Sequence, residues 1–211
     1  MRRLTDYGKV QRAIGAILRN RHFHVGLSRT HRGLLNVGCG AHSRSDFVNL
    51  DYHWSPGIDI VWDLRRRLPI PDRWMHGVYS EHCLEHLSYD DALHALSEFR
   101  RILVPGAVIR VVVPDAELFM RLYVKHRDGE PQYFPYVDEP RQNWTPMVTI
   151  NRIFREHGHR YAWDAETLSR ALLRTGFTSP TKQAFMTGMN AKLLIDSKER
   201  EVESLYIEAM R

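Results

Sequence analysis

The chain has 211 residues, with 30 Lys/Arg against 25 Asp/Glu and 43% hydrophobic residues, the make-up of one globular domain with a sizeable core, alone or with a short arm. No run approaches the roughly 18 apolar residues of a membrane span, the arginine-bearing N-terminus lacks the apolar core of a secretion signal, and two cysteines make no disulfide framework, so a cytoplasmic, reducing setting is expected. The charge is uneven: residues 1–33 hold eight Lys/Arg (Arg2, Arg3, Lys9, Arg12, Arg19, Arg21, Arg29, Arg32) and one acid, Asp6, whereas the remainder holds 22 basic against 24 acidic residues. The expected division is a basic helical arm, 1–33, and a body, 34–211, that offers nucleic acid no broad basic face.

In the arm, Val10, Ile14, Ile17 and Leu18 fall at helical spacing with Arg12 and Arg19 turned away from them. A helix packed on the body with a solvated basic side is the first reading. A helix in weak contact with a membrane surface is the second.

The body opens on Leu34-Leu35-Asn36-Val37, a buried-strand run that enters the turn Gly38-Cys39-Gly40. Glycine accepts φ > 0 and lets backbone approach a ligand closely, and ligands of open α/β sheets sit at the carboxyl ends of strands. Phe47-Val48-Asn49-Leu50-Asp51 is a second strand and Ile58 to Leu64 a third, passing through Asp63. Only Ala41 to Asp46 separate Gly40 from Phe47, fewer than the dozen or so residues of a parallel crossover with its helix. The first helix is therefore expected to shrink to a turn or loop. A dinucleotide site is disfavoured, because Ser43 stands at the third glycine position and Asp51 comes too soon for the acid about 20 residues on. Arg65-Arg66-Arg67 reads as a solvated loop.

Gly77 to Ser80 is a fourth strand, leading into Glu81-His82-Cys83-Leu84-Glu85-His86. The last five residues match H-x-x-E-H, in which two His four apart on a helix hold Zn²⁺ and a Glu activates water. Here the motif follows a strand directly, and no downstream element looks built to supply a third ligand, so no metal site is expected. Residues 89–103 carry an amphipathic helical pattern with Arg100-Arg101 at its C-terminal end. Val104-Pro105-Gly106 turns into a fifth strand, Ala107 to Val113. A helix then runs from after Asp115 to about His126. An irregular stretch, Arg127 to Thr149, contains Tyr133, Phe134, Pro135, Tyr136 and Trp144 and reads as a binding loop or as a loop packed on the body. Glu156 to Asp164, with His157 and His159, precedes a helix from Ala165 to Thr175. Thr181 to Phe185 and Ser204 to Met210 are the last two strands. Cys39 and Cys83 fall after neighbouring strands and are expected as two free thiols rather than a redox pair.

This ordered series resembles the class I S-adenosylmethionine-dependent methyltransferases, closest to a small bacterial branch. The residues that carry the resemblance are Leu35-Asn36-Val37-Gly38-Cys39-Gly40, Asn49-Leu50-Asp51, Leu103-Val104-Pro105-Gly106 with Arg110, Gly158-His159 with Trp163-Asp164, and Gly176-Phe177. It spans about Leu34 to Met210, with Ala107 where the family usually has a second glycine. The resemblance implies a Rossmann-like α/β domain whose seven-stranded sheet has the order 3-2-1-4-5-7-6 with the last strand antiparallel. It implies S-adenosyl-L-methionine as cofactor, held around Asn36, Gly38, Cys39 and Gly40. Asp51 would accept from both ribose hydroxyls, and Asp63 with Leu64 would meet the adenine. Ser80, Glu81 and His82 would lie near the methionine end, with His86 structural. Asn36 replaces an acid that often holds the cofactor's amino group, and Glu81 is the substitute considered. The arm gains a third reading, a lid over the cofactor.

Methyl transfer chiefly needs the nucleophile held close and in line, and an oxygen nucleophile gains from a base near neutral pKa; His157 and His159 are the choices. The activity expected is O-methylation of a small molecule or saccharide. A non-catalytic adenosylmethionine-binding module and, behind it, a zinc hydrolase through His82 and His86 are the alternatives. The sequence assigns no oligomeric state.

Overall fold

The computed structural model describes residues 8–21, 33–135 and 144–211. Arg2, Arg3, Asp6, Arg29 and Arg32 of the arm and Tyr136 of the aromatic insertion lie outside the described residues.

The body is built on seven strands: β1 (Leu34–Val37), β2 (Val48–Asp51), β3 (Ile60–Val61), β4 (Met75–Glu81), β5 (Leu103–Pro114), β6 (Thr178–Gln183) and β7 (Ser204–Met210). They form one sheet of order β3-β2-β1-β4-β5-β7-β6. The pairs from β3 to β5 are parallel, and β7 runs antiparallel between β5 and β6. This is the expected topology. Its carboxyl-end crevice lies where connections leave β1 in one direction and β4 in the other.

Strand alternation divides the core in two. Leu35, Val37, Val48, Leu50, Val78, Ile109, Val111, Leu205 and Ile207 face one side. There they pack on two helices: Ala92, Ala95, Leu96 and Phe99 come from the helix Tyr89–Ile102, and Leu168, Ala171 and Leu172 from the helix Ala165–Arg174. Ser88 caps the first of these by accepting from Asp91 N–H, and Asp164 caps the second by accepting from Thr167 N–H, each satisfying one orphan donor of a helix start. The opposite face holds a smaller cluster, Leu34, Phe47, Tyr79, Val108, Val112, Leu193 and Tyr206, and the polar residues Asn36, Asn49, Arg110 and Glu208, all buried.

Among the described residues no helix covers that second face at β1 and β2, because the connection between them is too short, as expected. Asn36 and Asn49 do the work instead. Asn36 Nδ2 donates to the His42 carbonyl at 3.1 Å, Asn49 Oδ1 accepts from Arg44 N–H at 2.9 Å, and Asn49 Nδ2 donates to the Arg44 carbonyl at 2.8 Å. At the other end, a strap of residues 184–203 crosses the face, anchored by Arg110. Its guanidinium, 0% exposed, meets Asp196 Oδ2 at 2.5 Å and Glu208 Oε1 at 3.0 Å and donates to the carbonyls of Thr187 and Ala184.

Several expectations change. The third strand shrinks to Ile60–Val61, leaving Asp63 and Leu64 in the loop beyond it. The fifth starts at Leu103 and runs through Pro105-Gly106, with a register shift opposite Met75 and Gly77. The sixth is displaced to Thr178–Gln183. The supposedly irregular stretch ends in a helix, Pro146–Arg155. Pro146 is at its first turn, where a missing N–H costs nothing. The helix after Asp115 runs Ala116–Arg127.

The arm helix, Lys9–Leu18, also departs from its reading. Val10 and Ile17 are 71% and 56% exposed. The contact with the body comes from the other side, where Gly15 sits against Trp54. Arg19, expected to be solvated, stacks on the Tyr52 ring at 3.6 Å and donates from Nε to the Tyr52 carbonyl at 3.0 Å. Asn20 N–H donates to the Val61 carbonyl and Asn20 Oδ1 accepts from Asp63 N–H. No helix among the described residues is long and apolar enough to cross a membrane.

Arg110→Met strands two buried carboxylates without their cation. It is expected to cost about 3–5 kcal/mol of stability, read as a lower urea midpoint at unchanged slope; a loss below about 1 kcal/mol, the scale of a surface pair, would show that the strap is held by something else.

Candidate functional site

A cavity of about 1060 Å³ opens at the carboxyl ends of β1, β2 and β4, lined among others by Gly38, Gly40, Asp51, Glu85, His86 and His159. Its floor is the turn after β1. Gly38 and Gly40 have φ of +65° and +52°, and a Cβ on Gly38 would lie 2.5 Å from Cys83 Sγ. Both the dihedral and the contact exclude a side chain there. Gly38 N–H donates to the Leu50 carbonyl at 2.8 Å, tying the turn to the end of β2.

Asp51 closes that end. It is 7% exposed, with Oδ2 accepting from Gly40 N–H at 2.9 Å and Oδ1 from His53 N–H at 2.7 Å. Burial pushes its carboxyl above the ordinary range, and these two N–H donors oppose the shift. Its carboxylate is thus fixed by backbone and borders the cavity.

The other expected cofactor contacts divide. Asn36, Cys39, Leu64, Glu81 and His82 line the cavity, but Asn36 commits its amide nitrogen to the loop that replaces the first helix. Asp63 also lines it, with its carboxylate gripped by Arg65, Nη2 to Oδ2 at 2.6 Å and Nε to Oδ1 at 2.9 Å. Arg65 is the chief cause of its lowered pKa, so one member of the arginine triplet has a definite partner. Glu81 is capped by Ser197, whose N–H and Oγ donate at 3.0 and 2.5 Å. Ser80 is fully buried and lies off the cavity wall.

The H-x-x-E-H segment is not one helix. Leu84–His86 is a single 3₁₀ turn, and His82 has φ of +47°, so His82 and His86 do not share a helical face as the zinc-peptidase pattern requires. His82 is largely but not fully buried, and its Nε2 lies 2.8 Å from Ser204 Oγ; burial drives its pKa well down.

What sequence reading missed is the group this turn builds with a distant loop. Arg160 and Tyr161 N–H donate to the Glu85 carbonyl at 2.7 and 3.1 Å. This draws residues 156–164 across the turn, and Trp163, bridged to Asp115, holds the far end. His159 Nε2 and His86 Nε2 then stand 3.9 and 4.0 Å from Glu85 Oε1. Both oxygens of Glu85 are buried without a hydrogen-bond partner among the described residues. Burial pushes the Glu85 carboxyl up to about 8 and the His86 imidazole down to about 4, and lowers that of His159. His157, exposed at φ +58°, lines the cavity beside them, its ring 6.0 Å from that of His159. A doublet such as Gly158-His159 carried no spacing signal toward Glu85; only the fold joins them.

In the aromatic insertion, Phe134 and Trp144 pack edge-on at 5.2 Å and both face His126. Tyr133 is exposed, and Pro135 reaches the cavity. Phe134 and Trp144 therefore pack into a small core with His126.

No protein-family description matches this chain, and no curated protein does. Solved structures do. An S-adenosylmethionine-dependent methyltransferase from Archaeoglobus fulgidus matches with 16% identity and a TM-score of 0.52, covering 84% of this chain and 85% of that one. One from Mesorhizobium loti matches with 18% identity and a TM-score of 0.50, covering 84% and 90%. The chain thus has the Rossmann-like fold of S-adenosylmethionine-dependent methyltransferases, as the resemblance implied.

Cys39 and Cys83 are free, and burial pushes both thiols well above their ordinary range. Native protein at mildly alkaline pH is expected to react slowly with a disulfide-type thiol reagent at both positions and rapidly once unfolded. Fast labelling of the folded chain would contradict this burial. Gly38→Ala, which meets both a positive φ and Cys83, is expected to cost roughly 1–3 kcal/mol from backbone strain alone, measurable as a lowered unfolding midpoint.

Proposed function

We propose that this protein binds S-adenosyl-L-methionine in the cavity and transfers its methyl group to an oxygen of a small-molecule or saccharide acceptor. The observation that carries the reading is Asp51. A backbone-braced carboxylate at the end of β2, beside a turn made of two left-handed glycines, suits the two hydroxyls of a ribose and the close approach of an uncharged stretch of cofactor. Gly38, Cys39 and Gly40 form the floor under the methionine part, and Leu64 borders the adenine end. Asp63 serves the adenine only if Arg65 shares it.

The reaction asks little covalent work of the protein. The acceptor oxygen forms a bond to the methyl carbon as the carbon–sulfur bond breaks, and the electron pair stays on sulfur, which leaves as a neutral thioether. Positioning supplies most of the acceleration. The acceptor's proton passes to an imidazole, and His157 and His159 are the two assigned. His159 Nδ1 lies 2.7 Å from the Ile153 carbonyl, which sets that nitrogen as the donor and leaves a lone pair on Nε2. The cavity's volume accommodates both a cofactor and a sugar-sized acceptor, and the aromatic insertion borders it through Pro135.

Titration calorimetry of metal-free protein with adenosylhomocysteine, beside Asp51→Ala, tests the proposal. Micromolar binding by the wild type is expected, weakened roughly 10- to 100-fold in the variant, the scale of hydrogen bonds to a charged group. A folded wild type that fails to bind refutes the cofactor. For the base, full turnover on a true acceptor by both His157→Ala and His159→Ala would refute the assignment.

A further inference from the structure

Glu85 sets a physical problem. Its side chain is 2% exposed, and neither oxygen finds a hydrogen-bond partner among the described residues. A carboxylate so placed is costly unless it is neutralised or meets a cation. Yet among the described residues no Lys or Arg is paired with it; around Oε1 stand His82 Nδ1 at 3.7 Å, His159 Nε2 at 3.9 Å and His86 Nε2 at 4.0 Å. One donor atom each from Glu85, His86 and His159 lies within 4.8 Å of the others.

The orientation of the two imidazoles matters as much as their distance. His159 turns Nδ1 to the Ile153 carbonyl at 2.7 Å, and His86 is hydrogen-bonded to the backbone of Gly158. Both point Nε2 at the carboxylate. An imidazole that donates one N–H to a carbonyl presents the other nitrogen as a lone pair, the arrangement of a metal-ligating histidine with its outer support. When Glu85 is ionised, neutral rings that turn such a nitrogen toward it repel it rather than solvate it, and a cation between them reverses that repulsion.

We propose that Glu85, His86 and His159 form a binding site for a divalent transition-metal ion of the Zn²⁺ type. Two imidazoles and a carboxylate are a donor set Zn²⁺ accepts at sites with an open fourth position. Bonds of about 2.0–2.1 Å place tetrahedral donors roughly 3.3–3.5 Å apart, so the two Glu85–His distances of 3.9 and 4.0 Å shorten by about half an ångström on loading and the two imidazoles, now within 4.8 Å, close to the same range by side-chain rotation. His82 is engaged with Ser204 and is not among the donors that lie within 4.8 Å of one another. The fourth position faces the cavity and takes an oxygen ligand.

Metal binding is independent of the methyl-transfer reading. Only its use rests on that reading: an ion here would hold the acceptor's oxygen and favour loss of its proton, with His159 engaged as ligand and His157 left as the proton acceptor. The site differs from the sequence pattern in both its members and its shape, since the distant His159 replaces His82.

The test uses tag-free full-length protein stripped with chelator, titrated with Co²⁺ for its visible d–d spectrum and with Zn²⁺ against a chromophoric chelator. One equivalent with a tetrahedral-type spectrum and micromolar or tighter affinity is expected, and added azide is expected to change the spectrum through the open position. His159→Ala and the near-isosteric Glu85→Gln are expected to weaken binding at least tenfold. The exposed His94→Ala, on the helix Tyr89–Ile102, is expected to leave it unchanged. Absence of a stoichiometric site in the folded wild type overturns the proposal, as does binding that survives in both cluster variants. Adenosylhomocysteine titration of the same stripped protein reads the cofactor separately, so the two proposals fail independently.

Discussion

The structure turns on a buried cation. Arg110 lies in the middle of β5 on the face that the strap crosses, and its two carboxylate partners come from opposite directions: Glu208 from the neighbouring β7 and Asp196 from the strap. Through this group the strap is pressed to the sheet. Glu208 also accepts from Met189 N–H, and Gly188 packs so closely that a Cβ there would collide with Glu208 Oε1. The next residue of the strap after Asp196 is Ser197, which caps Glu81 at the end of β4. The ion triad therefore fixes, at one remove, the strand end from which His82 and Glu85 depart. Such a group adds little to stability compared with an apolar replacement of similar volume. Its value lies in directing one chain path, because any other leaves a charge buried alone.

The same face explains why the sheet is unusually polar at its centre. A parallel connection normally brings a helix whose apolar stripe covers the strands. Between Gly40 and Phe47 there is no room for one, so the strands beneath have Asn36 and Asn49, whose amides bind the loop backbone that takes the helix's place. Buried amides are tolerable only when their partners are supplied, and here the loop supplies them. The shortness of that loop also brings Gly40 N–H onto Asp51, joining the ends of β1 and β2 into one rim.

The regular elements were legible because each announces itself locally. The strands followed from the succession of apolar runs and turns, and their order in the sheet from the resemblance those runs carry. The helices Tyr89–Ile102 and Ala165–Arg174 followed from apolar periodicity, with Ser88 and Asp164 standing as their caps. Asp51 was legible for the same reason, since a carboxylate ending the second strand of such a sheet lies beside the first turn. Misreadings arose where a local signal has two meanings. Pro146 can break a loop or begin a helix, and Ile58 to Leu64 has the composition of a strand but only Ile60–Val61 finds a partner. Arg19 was read by its place on a helical wheel, whereas the Tyr52 ring and carbonyl reward it for facing inward.

The polar cluster around Glu85 was illegible for a deeper reason. H-x-x-E-H carries meaning on a helix, where four residues make about one turn and bring both imidazoles to one side. After β4 the chain instead passes through His82 in a left-handed conformation and a single 3₁₀ turn. This sends His82 toward Ser204 and leaves Glu85 and His86 to meet whatever crosses above them. What crosses is set by two backbone bonds to the Glu85 carbonyl and by Trp163, roughly eighty residues downstream. His157 and Gly158, both at positive φ, reverse the chain so that His159 drops inward while His157 remains at the surface. A sequence motif thus survives in composition while its geometry is rebuilt from a different set of residues. Such a rebuilt cluster is better judged by the unmet demand of its buried carboxylate than by the spacing that first drew attention to it.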